Sequence, residues 1–267
     1  MQHKIKGHSP AGAVLQENLL TVRMLLHRNY QPYASLLAAE YQPAADWLNR
    51  ELLPTLVILP GISASGDNSS VCNLALALEL SFLAGRVHDL TAAQPAQGDM
   101  ERGSLTAASR AILVGDYLYT LAASKIAQGG YNQWLGKVGR TICRRSEAKL
   151  MRLRWQTRPF VAESERIANL HKEHAEGMAL AAEMAVCQTD WPEKERQAWT
   201  EFGFYVGLAQ GILLHESGAA CAEAVMQAEQ ALSGLSGQLQ NLAQSAILSR
   251  LLSGQKNQRK EYEKAVK

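Results

Sequence analysis

The stretch that decides the fold runs Val71-Cys72-Asn73-Leu74-Ala75-Leu76-Ala77-Leu78-Glu79-Leu80-Ser81-Phe82-Leu83-Ala84-Gly85-Arg86-Val87-His88-Asp89. Val71, Leu74, Ala75, Leu78 and Phe82 recur at helical spacing and give one apolar face. From Leu74 to Ala84 only Glu79 and Ser81 interrupt the apolar residues, so the other faces are apolar as well. A helix that is hydrophobic all round has no solvent side and belongs at the centre of a bundle. Ile112 to Leu121, with Asp116 set among apolar neighbours, predicts a second central helix for the same reason.

Outward from this stretch the chain also reads as helix. Prolines are absent from Ala96 to Arg158 and from Glu193 to Lys267, where the helix formers Ala and Leu dominate. Leu15, Leu19, Val22 and Leu26 mark another helical face near the start. Ser70 is the expected cap of the central helix, and Asp190 with Glu193 gives a D-x-x-E start signal. Loops are expected at Gly61 to Ser69, Thr91 to Ser104, Gly129-Gly130 and Gln188 to Trp191. No stretch alternates apolar and polar residues long enough for a strand. The fold class is all-α, a large helical bundle with central apolar helices.

Composition narrows the function classes. With 267 residues, 47% of them hydrophobic, the chain can bury a sizeable core. We expect one helical domain over residues 1–255 and a polar, basic tail over 256–267. The formal charge of +2 lacks the basic excess of a nucleic-acid binder. Cys72, Cys143, Cys187 and Cys221 are scattered without C-x-x-C spacing, which favours a reducing cytoplasm over a disulfide framework. Glu79 and Arg86 break the longest apolar run, and Met1 to Pro10 lacks the core of a signal peptide, so no transmembrane segment is expected.

Four groups of polar residues call for a reading. From Arg140 to Arg158 seven bases face one acid, Glu147, and Arg145, Lys149 and Arg152 share a helical face. With Arg144 they form either a solvated basic face or a surface for an acidic partner or anionic headgroup, with Trp155 as anchor. Asp89 has Arg86 one turn before it and is expected to pair with it. Asp116 reads as a buried structural carboxylate that needs a partner. His171 and His174 have a permissible metal spacing, but no third ligand converges on them in sequence and Lys172 lies between.

Four segments, in order from Glu51 to Ser217, resemble the trans-polyprenyl diphosphate synthases. Glu51-Leu52-Leu53-Pro54-Thr55-Leu56-Val57-Ile58-Leu59 is similar to that family's R-L-R-P-x-L-V-x-L segment. Leu78-Glu79-Leu80-Ser81 through His88-Asp89 resembles its E-L-x-x-x-A-S-L-x-H-D-D helix. Glu101-Arg102-Gly103 followed by Ala111 to Leu118 resembles R-R-G … A-I-L-A-G-D-x-L, and Phe202 to Gln210 resembles Y-G-x-x-L-G-x-A-F-Q. The resemblance implies an all-α isoprenoid-synthase bundle and metal-dependent prenyl transfer.

Set against the family's chemistry, the chain is depleted. Magnesium holding a leaving diphosphate needs hard oxygen ligands, which the family supplies from two D-D-x-x-D runs. Here the first run reads Asp89-Leu90-Thr91-Ala92-Ala93, and the second reads Leu213-Leu214-His215-Glu216-Ser217. Asp89 and Glu216 are the carboxylates nearest the expected metal positions. Family-matched remnants are Asp89, Arg102, Lys172 and Gln210, while Glu101, Leu53 and Glu173 replace other phosphate-binding residues. Phe82, Ala84 and Gly85 stand where the resemblance places the wall of a product tunnel. These departures imply a non-catalytic subunit without a cofactor of its own, pairing with a catalytic relative or a second copy. Two alternatives stay open. One is a prenyltransferase with a reorganised magnesium site using Asp89, Glu216 and Glu79; the other is a protein that binds a prenyl diphosphate or prenyl lipid.

Overall fold

The structure is a computed structural model that describes residues 10–37, 51–63, 68–89, 106–215, 219–249 and 251. Its helices are α1 (Pro10–Ala34), α2 (Leu52–Ser63), α3 (Asn68–Asp89), α4 (Ala107–Gln128) and α5 (Leu135–Trp155). They are followed by α6 (Glu163–Leu170), α7 (Glu176–Val186), α8 (Glu193–His215), α9 (Ala219–Leu232) and α10 (Gly237–Ala243). A π turn, His171–Ala175, joins α6 to α7, and a second, Gln244–Leu248, follows α10. No strand occurs among the described residues, in agreement with the all-α reading. Residues 256–267 lie outside the described part.

The all-round apolarity of α3 has a direct packing cause. Its Cys72, Ala75 and Leu78 join the main core with α2, α7, α8 and α9. Its Leu76, Leu80, Leu83, Ala84 and Val87 enter a second core with Leu26 and Tyr30 of α1 and Val114 and Leu118 of α4. The helix is long and apolar enough to cross a membrane, but its neighbours in the bundle cover most of it. Across the main core, the Trp199 indole N–H donates to the Leu56 carbonyl at 3.2 Å and ties α8 to α2.

Helix α4 departs from expectation. It packs mainly on α3, so only one face is covered, while Ile112, Leu113 and Tyr117 are exposed. Asp116 is exposed rather than buried, and its carboxylate lies 3.2 Å from His88 Nε2. Two start signals also shift. α3 opens at Asn68, which puts Ser70 inside its first turn. The first carbonyl of α8 is that of Pro192, bonded by the N–H groups of Glu195 and Arg196, so Asp190 lies upstream of the cap. The Gly129-Gly130 turn forms as read, with Gly130 at φ +82°. α2 runs on through Gly61 to Ser63, into the stretch read as loop, and residues 90–105 lie outside the described part.

Candidate functional site

Gly203, Gly207 and Gly211 recur every four residues along α8, and the next member of that series is His215. A Cβ at Gly207 would sit 2.8 Å from the His174 carbonyl oxygen and 2.9 Å from Ala175 Cα. At Gly203 it would sit 2.9 Å from the Met178 carbonyl, and at Gly211 2.8 Å from the His174 ring. The glycines therefore let the π turn and α7 approach α8 to backbone contact. The His174 ring lies over Gly211, with its Nε2 3.2 Å from Nε2 of His215. Single π turns of this kind concentrate at functional sites because they re-aim side chains within a helix.

The opposite wall is α5. Arg145, Lys149 and Arg152 do share a face, and that face turns inward. Lys149 Nζ lies 2.6 Å from Asp89 Oδ1 and donates to the Gly85 carbonyl at 2.8 Å. Arg152 Nη2 lies 2.9 Å from Glu173 Oε1, while its Nη1 lies 2.9 Å from both ring nitrogens of His215. The Arg145 guanidinium lies 4.7 Å from the centroid of the Phe82 ring. It also fills the space beside Gly85, where a Cβ would come within 3.2 Å of its Cζ. Asn169 clips α6 to this wall by donating to the Ala148 carbonyl at 3.0 Å.

Burial sets the protonation tendencies. Glu173 is only 3% exposed, and desolvation raises its pKa against the attraction of Arg152 and Lys149. His174 is held well below the ordinary histidine value by burial, then by Arg145 and His215. His215 is lowered to about 4 by burial and the adjacent Arg152. Lys149 is lowered to about 8 by burial and Arg145, against the pull of Asp89. Burial therefore disfavours the charged form of both imidazoles and of Lys149.

The site residues read from sequence fall as follows. Asp89 is in the network, but the cation beside it is Lys149 of α5. Phe82 and Gly85 face Arg145, whereas Ala84 packs in the second core on another face of α3. Lys172 and Gln210 are half-buried and make no ion pair with the described residues. Arg144 lies outside the network and bonds to Glu176 at 2.6 Å. Trp155 is half-buried, and its indole nitrogen is shut away from solvent. Glu79 is buried and feels Glu51 rather than Asp89. Arg102 and Glu216 lie outside the described residues. His171 packs edge-on against Phe204, so the pair that forms is His174 with His215. Sequence reading missed His215 and Glu173 as members; the four-residue series Gly203, Gly207, Gly211, His215 was the available signal.

The sequence matches no protein-family model and no curated protein. Its structure is similar to that of a polyprenyl synthase from Caulobacter crescentus CB15 complexed with calcium and isoprenyl diphosphate. The TM-score is 0.71 at 14% identity, over 96% of this chain and 98% of the other. A decaprenyl diphosphate synthase from Rhodobacter capsulatus gives 0.69 at 15% identity, over 92% of this chain and 99% of the other. The fold is that of the trans-polyprenyl diphosphate synthases. The geranyl diphosphate synthase small subunit from Antirrhinum majus shares it, with a TM-score of 0.59 at 16% identity over 87% and 98% of the two chains.

Magnesium takes hard oxygen donors, usually carboxylates and phosphates. Among the described residues the carboxylates of this site are Asp89 and Glu173, and each is paired with a protein cation, Lys149 or Arg152. Glu216, the other carboxylate read for the metal, lies outside the described residues.

Proposed function

We propose that the chain is a non-catalytic subunit that pairs with a catalytic polyprenyl synthase and modulates its prenyl chain length or stability. The observation that carries the reading is the commitment of Lys149 and Arg152 to Asp89 and Glu173. Ionising an allylic diphosphate requires positive charge placed where the leaving group's charge develops, which in this chemistry means carboxylate-held metal. In this site the cations belong to the protein and neutralise the very carboxylates a metal would need. Arg145 occupies the space beside Gly85 and Phe82 with a guanidinium, a poor lining for a prenyl chain. The exposed Ile112, Leu113 and Tyr117 of α4 offer an apolar face to a partner. A heteromeric arrangement accords with the small-subunit fold among the structural neighbours. The four free cysteines are in keeping with a reducing, cytoplasmic location.

The test is isopentenyl diphosphate incorporation with magnesium and allylic diphosphates of several lengths. The chain alone is expected to give no product, and added to a catalytic relative it is expected to shift the product length or the relative's thermal stability. Metal-dependent product from the chain alone would overturn the reading.

A further inference from the structure

We propose that Glu173, His174 and His215 form a site for a divalent transition-metal ion of the zinc type. The proposal goes beyond the subunit reading and is tested without any prenyl substrate, although an ion here displaces Arg152 from Glu173, one of the two pairings on which that reading rests.

The geometry comes first. Each residue offers one donor atom, and all three atoms lie within 4.8 Å of one another. The two Nε2 atoms are 3.2 Å apart, and Glu173 Oε1 is 3.7 Å from that of His174 and 4.0 Å from that of His215. Donors about 2.0–2.2 Å from a tetrahedral zinc lie about 3.3–3.5 Å from each other. The three donors therefore reach this geometry with shifts of a few tenths of an ångström once the Arg152 guanidinium, 2.9 Å from Glu173 Oε1 and from the His215 ring nitrogens, moves out. The contact with Gly211 fixes the His174 ring, and α8 fixes His215 one turn on.

Chemistry agrees with the spacing. Two imidazoles and one carboxylate form a zinc donor set that leaves a fourth position open. A neutral imidazole offers one ring nitrogen as a metal donor, and imidazole nitrogen suits zinc. Glu173 Oε2 is buried with no hydrogen-bond partner, an acceptor whose need the protein leaves unmet.

Arg152 now holds the metal-facing atoms of Glu173 and His215 and is the competitor. Its side chain is 32% exposed, so it has a path outward to solvent when an ion takes its place. Lys149 and Arg145 stay behind and weaken the ion's hold by like-charge repulsion. The competition gives the proposal a signed prediction, because removing Arg152 must strengthen metal binding.

Zinc titration of the purified full chain by calorimetry, and cobalt titration read in the visible spectrum, test the site. The expected results are one ion per chain and the intense visible bands of four-coordinate cobalt. His215→Ala and Glu173→Gln are each expected to weaken binding about tenfold or more, and Arg152→Ala to tighten it. His215 is partly exposed, so its variant is checked for fold by circular dichroism, and Glu173→Gln and Arg152→Ala carry the test if it fails. No binding by the unmodified chain would overturn the proposal. So would binding that His215→Ala and Glu173→Gln leave unchanged, since the ion would then lie elsewhere.

Discussion

Glu79 interrupts the most apolar run of the chain, and the structure leaves it 6% exposed with Oε2 unpartnered. Burial, and then the charge of Glu51, raises its pKa from 4.5 to about 8. The native state therefore keeps a proton that the unfolded chain releases above pH 4.5. The stability this proton contributes is complete below that pH and is lost as pH rises toward 8. Glu79→Gln abolishes the titration, so its urea midpoint should gain on the parent's by a widening margin from pH 4.5 to 8. The margin should grow by about 1.4 kcal/mol for each unit of differential titration, reaching a few kcal/mol. Parallel pH profiles for the two proteins would show that Glu79 is not the group. Sequence alone marked Glu79 as anomalous but did not give it Glu51 as a neighbour, because Glu51 lies 28 positions away, just before α2. Arg145, Lys149 and Arg152 were legible as one stripe for the same local reason. Periodicity tells which residues share a face, but it does not say whether that face meets solvent or the Asp89 and Glu173 carboxylates.

Among the elements, the central position of α3 was legible because its apolar residues leave no face for water, although its start at Asn68 was not. α4 was not, since an apolar face awaiting a partner and one buried in its own bundle have the same periodicity. α8 lies between these cases. Its four-residue glycine series is plain in sequence, but only the fold shows the π turn lying against it. That contact makes a paired prediction. A methyl group at Gly207 meets the His174 carbonyl and Ala175 Cα, which are backbone and have little room to give. Gly207→Ala should destabilise by about 1–3 kcal/mol through overpacking. Gly139, on the exposed side of α5, has nothing within 4 Å of the same added atom. Gly139→Ala should stabilise by about 0.5–1 kcal/mol, because alanine loses less backbone entropy in a helix. Urea unfolding of both variants checks this, and a neutral Gly207→Ala would mean the helices are not in backbone contact there.

At the scale of the whole molecule, the interior accounts for the apolar side chains of α2, α3 and α8, and the face of α4 is left over. Leu113 is 56% exposed, with Ile112 and Tyr117 beside it, and the Tyr117 ring meets Tyr33 of α1 at a centroid distance of 4.3 Å. If this face is where the proposed subunit meets its partner, association must remove it from water. Leu113→Glu then loses apolar burial and forces a charge into the contact, which has no compensating partner there. In the free chain the same substitution sits in solvent and should change unfolding stability by no more than about 0.5 kcal/mol. The two readouts therefore separate. Sedimentation or light scattering of the chain, alone and mixed with a catalytic relative, should show association weakened at least about tenfold by a loss of roughly 1.4 kcal/mol or more. Met226→Glu on α9, also 56% exposed, is the control and should associate like the parent. If Leu113→Glu associates as well as the control does, the apolar face of α4 is not the contact, and the exposed side chains of α5, Leu150 and Met151, become the next to substitute.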